Sequence, residues 1–370
     1  MKDNNMEAIK SIRKEVLTLG TYQAGRMPGK SKSGRMIKLA SNENRWGSSP
    51  KAMLAIAEAV SGGLSIYPDS KMKDLREAAV SFWKRRGITL APEQFVFGDG
   101  SGEILNMLLA AFVTEGSRTV IPASSFMLYR LLTIPKGAAP VFSLRNEDYS
   151  VDLESLADSA ISAGTKAVIF SNPDNPTSTF HKPEKIAEFI SRIPETIPVI
   201  LDEAYVHFAG LENTALPLLE KFPNMVLIYT FSKCYGLAGL RVGYGIMRPE
   251  FAEQIEKIRL PFNLGTVQQS GAAAAFGDDE FLDMTVSETA KSRDFLMRSL
   301  KELGYKTAEP SANFIFTDLG EKYTDVLSAL ETAGISIRTL GEFGFGDRFG
   351  RITAGTMEEC EYLVKTLKNI

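Results

Sequence analysis

The chain has 370 residues, too many for one compact core, so two domains are expected. Its 44% hydrophobic and 24% charged residues are typical of a soluble globular protein, and a net charge of −3 gives no electrostatic basis for binding nucleic acid or an anionic membrane. No apolar run is long enough to span a bilayer, and the polar N-terminal residues do not resemble a signal peptide.

The few cysteines and histidines limit the kinds of catalytic and metal site that the chain can form. Cys234 and Cys360 cannot form a disulfide framework, which indicates a reducing compartment and predicts a cytoplasmic protein. Cys234 is next to Lys233, but with only His181 and His207 in the chain a Cys–His nucleophile is disfavoured. No metal-ligand spacing occurs, so no metal site is predicted.

The first third of the chain begins with an amphipathic pattern that predicts a helix over residues 6–19. Residues 20–36 are polar and are predicted to form an arm or loop that lies on the body of the fold or on a partner subunit. A short strand follows at residues 37–40, and a helix over 50–60 begins with proline. After a turn at residues 67–69, a further helix is predicted to end at Arg86.

The middle of the chain alternates strands with helices. A strand over residues 95–97 precedes a glycine-rich turn, which opens a helix running to Phe112. Later strands are predicted at 119–121, 141–144, 167–170, 199–201, 226–229 and 242–247. Several are uniformly apolar, as expected for strands buried on both faces, so the pattern indicates an α/β domain with a mostly parallel sheet.

The remaining residues follow an α+β pattern. Helices are predicted at 249–259, 264–276, 278–303 and 358–368, and strands at 313–316, 335–338 and 351–353. The change of pattern predicts a large domain over residues 37–262 and a smaller one over 263–370. Residues 1–36 would then pack against the smaller domain or against a partner subunit.

Lys233 is the first candidate for chemistry, because it closely follows the apolar strand at residues 226–229. Burying an unpaired ammonium is costly, and forming a Schiff base with a carbonyl cofactor removes that charge. Thr230, Ser232 and Arg241 surround the lysine in sequence and suit an anion such as a phosphate. The alternative is a solvated lysine at a strand end.

The glycine-rich segment Gly100 to Gly102 opens a predicted helix after a strand. Backbone N–H groups at such a helix start form an anion site together with the helix dipole. A nucleotide-binding loop is a weaker interpretation, because the segment lacks the spacing of the known phosphate-binding motifs. A plain strand-to-helix turn is the remaining alternative.

Further polar residues follow other predicted strands. Asn175 lies in an Asn-Pro-rich segment after the strand at 167–170, and Asp202 ends the strand at 199–201 with Tyr205 three residues later. Ligands of parallel sheets bind at the carboxyl ends of strands, where a carboxylate can pair with a protonated pyridine nitrogen. A proline turn and a turn-capping aspartate are the alternatives. Phe126 can stack on a planar ring, although core packing is commoner for phenylalanine.

As a set, these motifs make the chain similar to the fold-type I pyridoxal-phosphate aminotransferases, and most similar to the histidinol-phosphate aminotransferases among them. The resemblance extends from about Tyr22 to the C-terminus. It rests on Asn42 to Asn44, Tyr67 to Asp69, Asn172 to Thr177, Asp202 to Tyr205, Thr230 to Lys233, Ala238 to Arg241 and Arg351 to Thr356. The implied fold is α/β of fold type I, with a mostly parallel seven-stranded sheet in the large domain and a smaller α+β domain.

The resemblance also implies roles for individual residues. Lys233 carries pyridoxal 5'-phosphate and moves the proton, Asp202 pairs with the ring nitrogen, Asn175 and Tyr205 contact the ring hydroxyl, and Phe126 stacks on the ring. The cofactor phosphate is held by Ser101, Gly102, Thr230, Ser232 and Arg241, with Tyr67 from the partner of a homodimer. The implied substrate-binding residues are Tyr22, Asn42, Asn175, Arg338 and Arg351, with Arg351 on the α-carboxylate. A salt-bridged strand residue is the alternative for Arg338.

Three positions depart from the family pattern. Arg45 replaces the usual proline, Ser178 the usual glycine, and Phe126 the usual tyrosine. We expect all three to border the substrate pocket or the cofactor face.

The expected reaction converts histidinol phosphate and 2-oxoglutarate to imidazole acetol phosphate and glutamate, a step of histidine biosynthesis. An aromatic amino acid aminotransferase and a lyase similar to threonine-phosphate decarboxylase are the alternatives on the same scaffold. A non-catalytic regulator that binds the same cofactor ranks lower, because the N-terminal segment is too short for a DNA-binding domain.

Overall fold

The computed structural model describes residues 9–23, 25–29, 31 and 34–370. In the first part of the chain, residues 9–10 are helical and α1 follows at Lys14–Leu17. The helix predicted over residues 6–19 is therefore interrupted, and its residues 6–8 lie outside the described ranges. α1 packs against the 3-10 turn Ile134–Lys136, and the chain then runs past Gly25, which lies beside Ser41, toward the first strand.

Seven strands form the larger sheet. They are β2 (Phe95–Asp99), β3 (Arg118–Pro122), β4 (Ala139–Ser143), β5 (Thr165–Ser171), β6 (Val199–Asp202), β7 (Met225–Thr230) and β8 (Val242–Ile246). Their spatial order is β2-β8-β7-β6-β5-β3-β4. Only β8 is antiparallel to its neighbours, so the predicted mostly parallel seven-stranded sheet is confirmed.

Both faces of this sheet are covered, which explains why its inner strands are uniformly apolar. Val168 and Phe170 belong to the core on one face, whereas Ala167 and Ile169 belong to the core on the other. This alternation is that of a strand buried on both sides. The helices that connect the strands, or follow them along the chain, are α2 (Pro50–Ser61), α3 (Lys73–Lys84), α4 (Gly100–Phe112), α5 (Leu128–Thr133), α6 (Leu153–Ala160), α7 (Pro183–Ser191), α8 (Val206–Ala209), α9 (Pro249–Glu256) and α10 (Thr266–Ala275).

Five strands form a second sheet in the order β1-β11-β12-β10-β9. They are β1 (Ile37–Leu39), β9 (Lys306–Thr307), β10 (Phe314–Asp318), β11 (Ile335–Leu340) and β12 (Gly346–Thr353). The helices of this layer are α11 (Asp279–Glu302), α12 (Tyr323–Thr332) and α13 (Met357–Leu367). β1 pairs in parallel with β11, so residues 37–39 belong to the smaller sheet although the predicted boundary placed them in the larger domain.

Both cysteines of the chain lie in the part that the structure describes. Cys234 and Cys360 are both buried free thiols. Within the described ranges, no group of three or more His, Cys, Asp and Glu side chains is placed to hold a metal ion. Among these same residues, no helix is both long enough and apolar enough to cross a membrane.

Candidate active site

The site lies where the carboxyl ends of several strands meet. Because β8 is antiparallel to both β2 and β7, β2 runs in the same direction as β7, β6, β5 and β3. The segments that follow these strands therefore come together at one edge of the larger sheet. The segment after β1 and the facing strands β11 and β12 close the site from the smaller sheet.

A cavity of about 320 Å³ occupies this edge. Every predicted site residue except Tyr67 lines it, namely Tyr22, Asn42, Ser101, Gly102, Phe126, Asn175, Asp202, Tyr205, Thr230, Ser232, Lys233, Arg241, Arg338 and Arg351. These residues come from positions distributed over almost the whole chain. The cavity therefore brings together residues predicted from the strand-end pattern and residues implied only by the family resemblance.

Lys233 lies partly buried in the cavity wall, at the end of the segment that follows β7. Its Nζ donates to the backbone oxygen of Ser41 over 3.2 Å and lies 5.6 Å from the ring centre of Tyr205. No carboxylate of the described residues is within ion-pair distance. Burial, and then the nearby charge of Arg351, lower the pKa of Lys233 to about 7. A substantial fraction of the amine is therefore neutral and nucleophilic near pH 7.

Asp202 ends β6 and is almost completely buried. The hydroxyl of Tyr129 donates to its Oδ2 over 2.9 Å, and the backbone N–H of Ala204 donates to Oδ1 over 3.1 Å. Burial raises the pKa of the Asp202 carboxyl to about 6, while these two hydrogen bonds act against the rise. Tyr129 and Ala204 line the cavity beside Asp202, so these two hydrogen bonds fix the position of the carboxylate in the cavity wall.

Tyr129 was not predicted as a site residue. It lies in α5, three positions after Phe126, and the two rings meet edge to face with their centres 5.6 Å apart. That spacing places both rings on one side of a helical turn, which is the only signal in the sequence that could have identified Tyr129. Phe126 lines the cavity and also packs against the core under the sheet.

Several hydrogen-bond donors lie close together where α4 begins. Ser101 and Gly102 are in the first turn of this 13-residue helix, where backbone N–H groups have no partner within the helix. Gly100 adopts φ +71°, and a Cβ there would overlap the guanidinium of Arg241. Arg241 in turn donates to Ser232 Oγ over 3.4 Å, and the N–H of Ser232 donates to Thr230 Oγ1 over 3.1 Å. Cation, hydroxyls and helix start therefore surround one small volume.

Arg351 holds together the buried part of the substrate side. Its guanidinium donates to Asn175 Oδ1 over 2.6 Å and to the backbone oxygen of Ala40 over 3.0 Å. Asn42 donates to the hydroxyl of Tyr205 over 3.0 Å, which fixes that ring beside Lys233. Burial lowers the pKa of Arg351, and the charge of Arg338 acts in the same direction. The Arg351 Nε has no hydrogen-bond partner among the described residues.

The outer part of the cavity is formed mainly by residues of the second layer and the arm. Arg338 projects from β11, and Tyr22 from the arm is nearly half exposed. Phe343 and Glu43 also line the cavity and were not predicted. Glu43 lies between the predicted residues of the loop after β1, but its Oε1 already pairs with Lys38 over 2.8 Å.

Two of the three departures from the family pattern lie outside the cavity, so the expectation that all three border it was wrong. Arg45 forms an ion pair with Glu359 in α13, with Nε to Oε2 at 3.1 Å. Ser178 has φ +66°, a conformation that favours glycine, and its Oγ accepts the N–H groups of Ser311 and Ala312. Both residues connect the larger layer to the smaller one. Only Phe126 faces the cavity.

Tyr67 lies on the surface and does not reach the cavity of its own chain. Its side chain is 77% exposed and stacks on Phe262, with ring centres 4.5 Å apart. Other exposed apolar residues lie close to these two in the sequence: Leu54, Val60, Leu64, Ile66 and Leu260. The stacked rings of Tyr67 and Phe262 thus present apolar surface to the solvent, as interaction surfaces do.

Comparisons with known proteins agree with this geometry. The family model described as aminotransferase class I and II matches residues 34–367. The histidinol-phosphate aminotransferase of Brevibacillus brevis is 36% identical over 364 residues, which cover 97% of this chain and 98% of the relative. That of an Anaeromyxobacter species is 36% identical over 90% of this chain and 91% of its own.

Solved structures are similar to this chain over nearly its whole length. The crystal structure of histidinol-phosphate aminotransferase from Sinorhizobium meliloti in complex with pyridoxal-5'-phosphate has a TM-score of 0.86 and 27% identity, covering 98% of this chain and 99% of that one. A Thermus thermophilus aspartate aminotransferase mutant has a TM-score of 0.83 at 19% identity and covers 97% of this chain and 99% of its own. The second similarity concerns the fold alone.

Proposed function

The chain belongs to the class I and II aminotransferase family, and from this premise we propose that it is a pyridoxal-phosphate-dependent histidinol-phosphate aminotransferase. The reaction converts histidinol phosphate and 2-oxoglutarate to imidazole acetol phosphate and glutamate. One observation carries the proposal: a single cavity holds Lys233 and Asp202 at one end and two arginines, Arg338 and Arg351, at the other. Relatives of the same name at 31–36% identity support the choice of substrate.

The residues present fit pyridoxal phosphate. Lys233 offers an amine that is neutral in part near pH 7, and Asp202 offers a buried carboxylate for a protonated ring nitrogen. Gly100 leaves the space that the Arg241 guanidinium occupies, beside the free N–H groups at the start of α4. This set of donors suits a phosphate dianion, whereas the described residues contain no cluster suited to a metal ion.

When bound, the cofactor supplies an electron sink for the electron pair left on the substrate Cα as its proton leaves. We infer that the Lys233 amine accepts that proton and returns it two bonds away, in a 1,3-proton shift, because Lys233 is a partly neutral amine in the cavity wall, 5.6 Å from the ring centre of Tyr205. Asp202 would pair with the protonated ring nitrogen of the bound cofactor, and Phe126 would contact its ring. Asn175 and Tyr205 would hold the ring hydroxyl, while Ser101, Gly102, Thr230, Ser232 and Arg241 would hold the phosphate.

The arginines are assigned to the substrates. Arg351 holds the α-carboxylate of glutamate or 2-oxoglutarate, since a planar guanidinium pairs with a carboxylate through two parallel hydrogen bonds. Arg338, with Tyr22 and Asn42 of the cavity wall, receives the γ-carboxylate of 2-oxoglutarate or the phosphate of histidinol phosphate, which is the only anionic group of that donor. Each substrate of the reaction thus offers negative charge to this end of the cavity.

The proposal includes a homodimer in which Tyr67 reaches the cofactor phosphate of the partner. The exposed group around Tyr67 and Phe262 supports it, because burying this apolar surface between two copies would stabilise the pair. We also propose a cytoplasmic protein with a large cofactor-binding domain ending near residue 262. The smaller domain then comprises residues 263–370 together with β1, which pairs into its sheet.

A panel of amino donors with 2-oxoglutarate as acceptor tests the function. The purified protein, loaded with pyridoxal phosphate, is assayed for glutamate formation from histidinol phosphate, phenylalanine and tyrosine. We expect the highest kcat/KM with histidinol phosphate. Activity on phenylalanine or tyrosine with none on histidinol phosphate would make the protein an aromatic aminotransferase. Release of CO2 from phosphothreonine without amino transfer would make it a lyase.

A further inference from the structure

The two cavity arginines are direct neighbours across a pair of strands. Arg338 of β11 and Arg351 of β12 are opposite each other in the antiparallel register. Opposite residues project from the same face of a sheet with their Cβ atoms about 5 Å apart, and like charges there are destabilising. Both side chains are more than nine-tenths buried. Two guanidinium groups are therefore held side by side in a largely dry place.

Among the residues that the structure describes, only Arg338 of these two arginines has an anionic partner. Arg351 donates to an amide oxygen and a backbone oxygen, both of them neutral, and no carboxylate of the described residues pairs with it. Arg338 donates instead to Glu342 Oε2 over 2.9 Å, its only hydrogen-bond partner in the described part of the chain. Without substrate, the arginine pair and Glu342 together carry one net positive charge, which matches a single carboxylate.

We propose that Glu342 is an internal counter-ion that occupies Arg338 until the second anionic group of a substrate displaces it. Glu342 thereby determines how strongly the enzyme distinguishes substrates with two anionic groups from those with one. The inference depends on the proposed function, which assigns Arg351 and Arg338 to the two ends of a dianionic substrate. It adds a specificity-determining residue that does not itself line the cavity.

Burial explains why this exchange is possible. The Arg338 side chain is 9% exposed, so leaving it without an anion would be costly, whereas the Glu342 side chain is 49% exposed and regains water when it leaves. A substrate with one anionic group leaves the Arg338–Glu342 pair intact. A substrate with two anionic groups replaces one carboxylate on Arg338 by another anion, and the buried guanidinium is paired in both states.

The surroundings favour movement of Glu342 rather than of the arginine. Glu342 lies in the short 3-10 turn Gly341–Phe343, just after a register shift where β11 stops pairing regularly with β12. The ring of Phe343 lies within cation–π distance of both guanidinium groups, 5.5 Å from Arg338 and 5.9 Å from Arg351. Glu43, which also lines the cavity, forms an ion pair with Lys38 over 2.8 Å.

The test compares Glu342→Gln with a matched control, Glu321→Gln. Glu321 is likewise a surface glutamate paired with an arginine, Arg348, but it lies outside the cavity. Titration calorimetry on the holoenzyme gives the Kd of glutarate, with two carboxylates, and of pentanoate, with one. We expect Glu342→Gln to raise the preference for glutarate over pentanoate roughly three- to tenfold, the size of one partly exposed ion pair, with no change in the control.

The same comparison in an Arg338→Gln variant shows whether Glu342 changes the substrate preference through Arg338. With Arg338→Gln already present, adding Glu342→Gln is expected to leave the glutarate-to-pentanoate preference unchanged. An unchanged preference in the single variant, or an equal change with and without Arg338, overturns the inference. These measurements use non-reacting acids, so they report on Glu342 even if histidinol phosphate is not a substrate, and failure of the donor panel affects only the proposed function.

Discussion

The two ends of the cavity are built in different ways. At the cofactor end, Asp202 is held by Tyr129 and a backbone N–H, all on the larger sheet or its helices, and almost no water reaches the carboxylate. At the substrate end, Arg338 projects from the smaller sheet and depends on Glu342, a residue half exposed to solvent. One end is held by buried hydrogen-bond donors, and the other by an ion pair whose carboxylate is half exposed.

This difference suits the two ends to different tasks, with proton transfer at the cofactor end and discrimination among substrates at the other end. A proton transfer requires groups held at constant positions, which buried and fully paired side chains provide. Selection among substrates requires that an anion be exchanged, which is easier at a partly hydrated ion pair. Substitutions at the cofactor end should therefore affect every substrate alike, whereas substitutions at the substrate end should affect substrates according to their charge.

The largest effect is expected at Lys233, the reactive group of the cofactor end. Lys233→Ala removes the amine that carries the cofactor and moves the proton, so kcat/KM should fall on the order of 10³-fold or more for every donor. The absorbance band of lysine-bound cofactor should disappear in the same preparation. Lys257→Ala, which removes a lysine paired with Glu253 on the surface, is the control and should match the wild type. Normal transamination by Lys233→Ala would contradict the assignment.

A smaller and selective effect is expected at Arg351. Arg351→Lys keeps the charge but loses the two parallel hydrogen bonds to a carboxylate, so KM for 2-oxoglutarate should rise roughly 10- to 100-fold. The change should appear in KM more than in kcat, as steady-state kinetics with varied acceptor would show. Arg348→Lys, on the same strand but on the surface, serves as control. Equal loss in the two variants would argue against a carboxylate site.

An effect on the pH dependence of activity is expected at Tyr129, which belongs to the cofactor end. Tyr129→Phe removes a hydrogen bond that lowers the pKa of Asp202, so that pKa should rise above about 6. Since ionised Asp202 is the form that pairs with the ring nitrogen, activity should be lost at a higher pH on the acid side. At neutral pH we expect a fall of about three- to tenfold in kcat for all donors.

The pH dependence of kcat between pH 5 and pH 8 provides the measurement for Tyr129→Phe. Tyr305→Phe, in the core of the smaller layer, is the control for loss of a tyrosine hydroxyl away from the cavity. An acid limb at the same pH in both variants would show that Tyr129 has no influence on Asp202.

The smallest effect is expected at Ser178, which lies outside both ends of the cavity. Ser178→Gly relieves a left-handed backbone conformation but loses an oxygen that accepts two backbone N–H groups. These contributions oppose each other, so unfolding free energy should change by no more than about 1 kcal/mol. Thermal unfolding and donor kinetics check this together. A change of substrate preference in Ser178→Gly would show that residue 178 does influence the substrate pocket.

The sequence predicted the cofactor end more completely than the substrate end. Lys233, Asp202 and Ser101 stand where an apolar strand gives way to polar residues, and all three line the cavity. Tyr129 was missed because the carboxylate that it supports is 73 positions away along the chain. The pairing of Arg338 with Glu342 was also missed, although the alternative of a salt-bridged strand residue had been considered for Arg338.

The strand-and-helix pattern by itself determined that polar groups would gather at one edge of a parallel sheet. This follows because parallel strands run in the same direction and therefore all end at the same edge of the sheet, whatever their order. Only the tertiary structure decided which groups face each other. The register of β11 against β12 put Arg338 opposite Arg351, and the parallel pairing of β1 with β11 brought Ser41 to Lys233. Such pairings depend on contacts between residues far apart in the chain, and no local pattern of residue types encodes them.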